Sequence, residues 1–349
     1  MKILEETLVS IEGLNKEKAL ECEKLLNGKM KPLGSLGVLE KLAIQISGIK
    51  GKIEKLNNGC HIIVSGDNGI IEENVSSCPL EYTKIVSEAM VNKIAAIGIL
   101  CDSLGIDLQL VDVGINGDIE RKYKNLYVDK VMNGTKNFKN EPAMSLKECT
   151  ETIERGIKRI ESLKDKYDFF SNGEMGIGNT TTSSGILYAL TKKSLDEVVG
   201  RGGGLSDEGL KRKKNLIKES IIKYDLFNKS PLEILRTVGG LDIASMVGLY
   251  LGCAKYKKPM LIDGFISGIG ALVAVKMEPK VKDYLIATHM SQEPGMKIIM
   301  EELNLTPFLN MEMRLGEGTG AVLAYPILKS AMEIPLRMKT KDEVYKIFS

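Results

Sequence analysis

Apolar residues recur at three- and four-residue spacing through "EETLVSIEGLNKEKALECEKLL", which predicts amphipathic helix. Pro32 and Gly34 interrupt the pattern in "KPLGSLGVLEKLAIQISGI", and it resumes from about Leu36. Residues 1–56 are therefore expected to be helical. From 61 to 291 the pattern changes. Short β-rich runs recur, most closing in glycine or a small polar loop: "HIIVSGDNG" (61–69), "LQLVDVGING" (108–117), "FFSNGEMGIGN" (169–179), "PMLIDGFISG" (259–268) and "YLIATHMS" (284–291). Helical stretches such as 81–105 and 241–257 lie between them. Runs that are apolar throughout and alternate with helices predict an α/β fold, with a parallel sheet covered on both faces. The stretch 117–167 is polar and Lys-rich, and its "NGTKNFKNEP" is expected to be an exposed loop. The tail, 325–349, reads as helix again. The two chain ends, 1–56 and 325–349, are expected to form a small helical domain beside an α/β domain over 57–324.

Composition narrows the function classes. The 349 residues carry a formal net charge of +2, so nothing draws the chain to nucleic acid or to an anionic membrane surface. No apolar run reaches membrane-spanning length, and the N-terminus lacks the apolar core of a signal peptide. Six cysteines form no CxxC pair, and His61 and His289 are the only histidines. No metal site is expected, and the thiols read as free groups in a reducing cytoplasm. The 35 glycines exceed the usual share of about 7% and gather in loops, which suggests turns that face a ligand. In a parallel sheet such loops sit at the carboxyl ends of the strands, where ligands bind.

Five loops carry candidate chemistry. "GEMGIGNTTTSSG" (173–185) follows a strand and opens a helix; its glycines free backbone amides to face an anion, and Asn179, Thr180 and Thr181 can cap the helix. No GK[ST] follows, so it is not a Walker loop. "GRGGGLSDEGLKRKK" (200–214) places three glycines before a basic helix, on which one lysine turned back toward the loop suffices as a phosphate partner. "IDGFISG" (262–268) and the residues after "ATHM" supply Ser267 and Ser291, which either cap turns or hold a ribose phosphate. "MRLGEGTGAVLA" (313–324) sets Glu317 between two glycines. A flat ligand can reach that carboxylate, and desolvation would raise its pKa into the range of a general base. Arg314 nearby would lower it, and the residue alone leaves catalysis and capping equally open.

Together with "KPLGSLGVLEKLA", "GDNGI", "VDVGI" and "VGGLDIASMVGLYLG", these motifs run in an order that resembles the nicotinate-nucleotide–dimethylbenzimidazole phosphoribosyltransferase family of cobalamin lower-ligand biosynthesis. The resemblance spans about Lys31 to Leu328. It implies a Rossmann-like, mostly parallel sheet with a small helical domain, and a cytoplasmic homodimer that needs no metal or other cofactor. It implies transfer of a phosphoribosyl group from nicotinate mononucleotide to a benzimidazole nitrogen, with inversion at C1′ and nicotinate leaving. By the same resemblance Glu317 is the general base and Glu174 a second acidic group facing the nucleotide. Gly176, Gly178, Asn179, Thr180, Thr181, Gly202, Gly203, Gly204 and Lys213 cradle phosphate and ribose, and Gly264, Ser267 and Ser291 hold the nucleotide further along. The acceptor pocket is expected to involve Asp67, Asn68, Cys78, Val86 and Leu315.

The acceptor side departs from the family pattern. Asn68 stands where the family usually has histidine, and Asn carries no proton near neutral pH. A glutamine that often lines the acceptor pocket is replaced near Val86, and Cys78 stands where a small polar residue is common. The donor loops keep the pattern. The expectation is retained donor chemistry with a benzimidazole-type acceptor; the alternative is the same donor chemistry with another benzimidazole, a purine or a phenol as acceptor. Two rival readings use the same residues: a nucleotide-binding regulator without turnover, and a hydrolase whose carboxylate activates water.

Overall fold

A computed structural model describes residues 2–119 and 122–349. Its six strands are β1 (Gly59–Gly66), β2 (Asp107–Gly114), β3 (Leu126–Val128), β4 (Phe169–Met175), β5 (Met260–Ile262) and β6 (Leu285–Ala287). They form one sheet in the order β3-β2-β1-β4-β5-β6, and every neighbouring pair is parallel. The chain runs outward from β1 in one direction through β3, and outward from β4 in the other through β6. A doubly wound sheet of this order opens a crevice between β1 and β4 at their carboxyl ends.

Side chains alternate across the sheet, so neighbouring residues of one strand enter different cores. Ile62, Val64, Phe170 and Ile262 point to one face, where the helices Leu146–Leu163, Leu241–Lys255 and Phe265–Met277 cover them. Ile63, Phe169 and Leu261 point to the other, beneath the helices Lys16–Asn27, Val38–Lys50 and Tyr325–Arg337. The first helix, Lys2–Ser10, lies with the former set and buries Leu4 there. Helices from both chain ends thus pack directly onto the sheet faces.

Three sequence expectations need correction. The stretch 117–167 holds the edge strand β3 and the 18-residue helix Leu146–Leu163. Ser145 and Glu148 open that helix with a reciprocal capping box, and Ile153, Ile157 and Ile160 bury its apolar stripe. Glu154, Arg155, Lys158 and Arg159 stand between these isoleucines, outside the buried stripe, and disguise it. Within "NGTKNFKNEP" Phe138 is only 1% exposed, and Thr135 and Asn137 are buried. The loop is tied to the end of β1, because the Thr135 amide donates to Asp67 O at 3.0 Å and the Gly69 amide to Thr135 Oγ1 at 3.0 Å. The stretch 81–105 is two helices, Tyr82–Val91 and Ala96–Leu104. Lys93 takes a left-handed turn (φ 61°) between them, and Gly98 abuts the Met90 carbonyl where a side chain would collide. All six cysteines are free.

Candidate active site

A cavity of about 370 Å³ opens at the carboxyl ends of the central strands. Glu174 and Gly176 reach it from β4, Asp263 and Gly264 from β5, His289 and Ser291 from β6, and Glu317 from the glycine loop that follows. Cys78, Tyr82, Val86, Met175 and Leu315 add a largely apolar wall.

Glu317 occupies the left-handed region (φ 63°), with Gly316 and Gly318 beside it at 87° and 90°. Three such residues in succession turn the chain sharply and direct the Glu317 carboxylate at the amino end of the helix Ala96–Leu104. There the Ile97 amide donates to Oε2 at 3.2 Å. The break after Lys93 therefore has a use: it creates the helix start that meets this carboxylate. Burial raises the Glu317 pKa, the Ile97 amide lowers it, and the nearby Asp263 raises it further. The Arg314 charge acts on Glu293 instead. The result is a carboxylate in the cavity wall with more proton affinity than a solvated one, which suits a base.

Three buried acids gather here: Glu174 and Asp263 line the cavity, and Asp242 lies beneath it. Burial, with Asp242 close by, pushes Glu174 up to about 8. Burial raises Asp263 to about 7 and Asp242 to about 6, each partly offset by backbone amides. Glu174 accepts hydrogen bonds from the Asn179 amide group and the Glu317 backbone. Asp263 accepts from the Ala321 amide at 3.0 Å and so anchors the chain just past Glu317. A group that brings positive charge to this cavity would be met by acids ready to ionise.

The anion side is built from "GEMGIGNTTT". Gly178, in a left-handed conformation (φ 97°), is the N-cap of the helix Asn179–Thr191, and no side chain caps it. The expected caps are employed elsewhere: Asn179 bonds to Glu174, and Thr180 accepts from Lys213 Nζ at 2.9 Å. Lys213 is fully buried and also donates to the Gly200 carbonyl at 3.2 Å. Burial lowers its pKa to about 8. It stands behind Thr180, tying the two glycine loops together.

The sequence-derived candidates divide accordingly. Glu317, Glu174, Gly176, Gly178, Asn179, Thr180, Gly202, Gly203, Gly264, Ser267, Ser291, Cys78, Val86 and Leu315 all line the cavity. The Ser267 hydroxyl is tied to Asn172 Oδ1 at 2.7 Å and to the Tyr250 hydroxyl at 2.7 Å. Thr181, Gly204, Lys213, Asp67 and Asn68 are outside the lining set. Asp67 accepts from the Asn116 amide at 2.7 Å, and Asn68 lies beneath Gly176 and Gly178, near Asp242. Sequence reasoning missed Asp242, Tyr82, Met175 and the part played by His61. Asp242 had a signal, since an acid directly after "VGGL" at a helix start is well placed to meet a neighbouring loop. Among the described residues no three His, Cys, Asp or Glu side chains group to hold a metal ion, and no helix is long and apolar enough to cross a membrane.

Comparison with known proteins adds independent findings. A phosphoribosyltransferase family model matches residues 11–344. A nicotinate-nucleotide–dimethylbenzimidazole phosphoribosyltransferase of Clostridium tetani is 41% identical over 345 residues, 98% of this chain and 95% of that protein. Its counterpart in Clostridium acetobutylicum is 42% identical over 339 residues, 97% and 96% of the two chains. The crystal structure of CobT from Thermus thermophilus superposes with a TM-score of 0.89 at 33% identity, covering 94% of this chain and 98% of that one.

Proposed function

The chain belongs to the nicotinate-nucleotide–dimethylbenzimidazole phosphoribosyltransferase family, and from that premise we propose how its cavity performs the transfer. The enzyme moves the 5-phosphoribosyl group of nicotinate mononucleotide to a benzimidazole-type nitrogen. It releases nicotinate and an α-ribazole 5′-phosphate for cobamide assembly.

The donor phosphate binds at the amino end of the helix Asn179–Thr191, where backbone amides and the helix dipole favour an anion. Lys213 adds positive charge from behind Thr180. The pyridinium of the donor sits over the buried acids Glu174, Asp242 and Asp263, and its charge draws them toward their ionised forms. Those anions then stabilise the positive charge that grows on the ribose as the C1′–N bond breaks. The bonding pair leaves with the pyridine nitrogen, so nicotinate departs without protonation. A ring nitrogen of the acceptor forms the new bond to the opposite face of C1′. The proton of the acceptor's N–H passes to Glu317.

The observation that carries this reading is the Glu317 carboxylate, raised in pKa by burial and set in the wall of the same cavity as the anion-binding loop. The test is Glu317→Gln. Turnover is expected to fall by roughly 100-fold or more, the usual worth of a general base, with mononucleotide binding little changed. Activity within a few-fold of the native enzyme would remove Glu317 from that role. Release of nicotinate without any acceptor would instead favour hydrolysis.

A second reading concerns the acceptor. The wall beside Glu317 presents Val86, Cys78, Tyr82, Met175 and Leu315, none of which carries an amide. Such a wall recognises a flat apolar ring by shape, and it admits benzimidazoles other than dimethylbenzimidazole, purines or phenols. Homodimeric assembly in the cytoplasm belongs to the same family-based reading. Tyr82 and Ile85, exposed on the helix at the cavity mouth, offer apolar surface for a second copy to cover, and sedimentation measures it.

A further inference from the structure

We propose that His61 is a positioning residue for Glu317, holding the main chain of the base through a one-way hydrogen-bond chain that starts at Tyr325. The proposal rests on the reading of Glu317 as general base.

Glu317 is the one residue carrying a Cβ in the left-handed run from Gly316 to Gly318, a conformation that costs about 1 kcal/mol or more. Something must hold it there. Its carbonyl lies 2.9 Å from His61 Nε2. A carbonyl only accepts, so the imidazole proton is on Nε2 and Nδ1 presents a lone pair. Ser171 Oγ, 2.6 Å from Nδ1, must then donate to it. The Ser171 oxygen is left to accept from the Tyr325 hydroxyl at 2.7 Å. Each role follows from the one before, and reversing any link would set two hydrogens or two lone pairs face to face.

The sheet sets this chain up. His61 in β1 and Ser171 in β4 are register partners, so the parallel ladder puts their side chains next to each other. Both are fully buried, and Tyr325 is 2% exposed. Burial lowers His61 to about 4 and raises the Tyr325 phenol, so both stay neutral through the working range. The His61 ring also fills the space where Gly318 would carry a side chain, and Gly173 of β4 lies against the Glu317 carbonyl. Of the other ionisable groups around Glu317, Asp263 alone acts on its carboxylate, raising its pKa, and the His61 variants leave that group in place. Glu174 accepts its amide, Asp263 takes the amides beyond it, His289 packs on Gly320, and Arg314 faces Glu293. With the His61 link gone, the loop can relax toward right-handed backbone. The carboxylate then swings from the acceptor and gains water.

The experiment compares His61→Leu, which removes the donor, with His61→Gln, whose amide nitrogen can replace Nε2. Transfer from nicotinate mononucleotide to dimethylbenzimidazole is followed across pH in the full-length protein. His61→Leu should lower kcat by roughly 10- to 100-fold, the penalty of a base displaced by about an ångström, with the mononucleotide KM within about threefold. The acid limb of its kcat profile should move down toward the ordinary carboxylate range, and His61→Gln should restore most of the rate and the limb. A kcat within twofold of native, or a loss with an unmoved acid limb and no rescue by Gln, overturns the proposal. If calorimetry shows that His61→Leu does not fold, Ser171→Ala decides. That variant leaves Nδ1 without its donor, and it should lower kcat and shift the limb in the same direction; an unchanged profile overturns the proposal. An active Glu317→Gln would instead defeat the general-base reading itself, whereas an inactive Glu317→Gln beside a normal His61→Leu defeats only this inference.

Discussion

At the scale of single residues, the donor and acceptor halves of the cavity are built differently. The donor half uses groups fixed by several bonds each: Lys213 on Thr180 and Gly200, Glu174 on Asn179 and the Glu317 amide. The acceptor half uses side chains that only pack. A packed apolar wall discriminates weakly, because one methyl group more or less in such a pocket is worth about 1–3 kcal/mol. Dimethylbenzimidazole, unsubstituted benzimidazole, a purine and a phenol should therefore all be accepted, with kcat/KM values closer together than a hydrogen-bonding wall would allow. Val86→Gln puts an amide in the wall and should spread those values, favouring rings with a matching polar edge. A strong native preference for dimethylbenzimidazole over every other acceptor would contradict this.

At the scale of elements, the parallel sheet and the positions of its loops were legible in the sequence, and the helix Leu146–Leu163 was not. The strands showed because short β-rich runs that close in glycine or a small polar loop recur between helical stretches, and five of the six strands lie in such runs. The edge strand β3 is three residues long and half exposed, so it leaves no such run. The helix was hidden because its buried face is narrowed by Gly156, which lies against the Ser245 carbonyl of the helix Leu241–Lys255. Gly248 returns the contact, lying against the Ile153 carbonyl. Two helix backbones this close leave no room for a methyl group. Gly248→Ala should destabilise the protein by about 2 kcal/mol or more through overpacking, measured by urea unfolding. Gly185→Ala is the control: it also lies within a helix, and its added methyl would meet Val238 at an ordinary 3.6 Å. That change should be neutral or slightly stabilising, as Gly to Ala in a helix usually is. Equal losses at both sites would show that close backbone packing does not set the cost. The same blindness explains the site residues that were missed. Asp242 and His61 act through partners brought together by the sheet register and by the helix start after Gly240, and spacing along the chain carries no record of either.

At the scale of the whole molecule, the buried acids make stability depend on pH in an unusual direction. Glu174 and Asp263 titrate in the folded protein at about 8 and about 7, against ordinary values of 4.5 and 3.8. Between those limits the folded state holds protons that the unfolded chain has lost. Their stabilisation is therefore complete below the ordinary carboxylate range and disappears as pH rises through the folded values. His61 works the other way, since its lowered pKa of about 4 adds stability as pH climbs toward 6.5, but it contributes nothing further above that. Lys213, lowered to about 8 from 10.5, adds stability only as pH rises beyond its folded value. The window from pH 6.5 to 8 thus belongs mainly to the acids, and the ligand-free protein should lose about 1 kcal/mol per pH unit for each acid still protonated there. Calorimetric melting across this window should show a falling Tm, and Glu174→Gln, which cannot ionise, should flatten the fall. A Tm that is level or rising in the native protein, or a slope that Glu174→Gln leaves unchanged, would mean that the acids are already ionised before the donor arrives. The cationic ring of the mononucleotide would then find its counter-charge preformed, and its binding would release no protons.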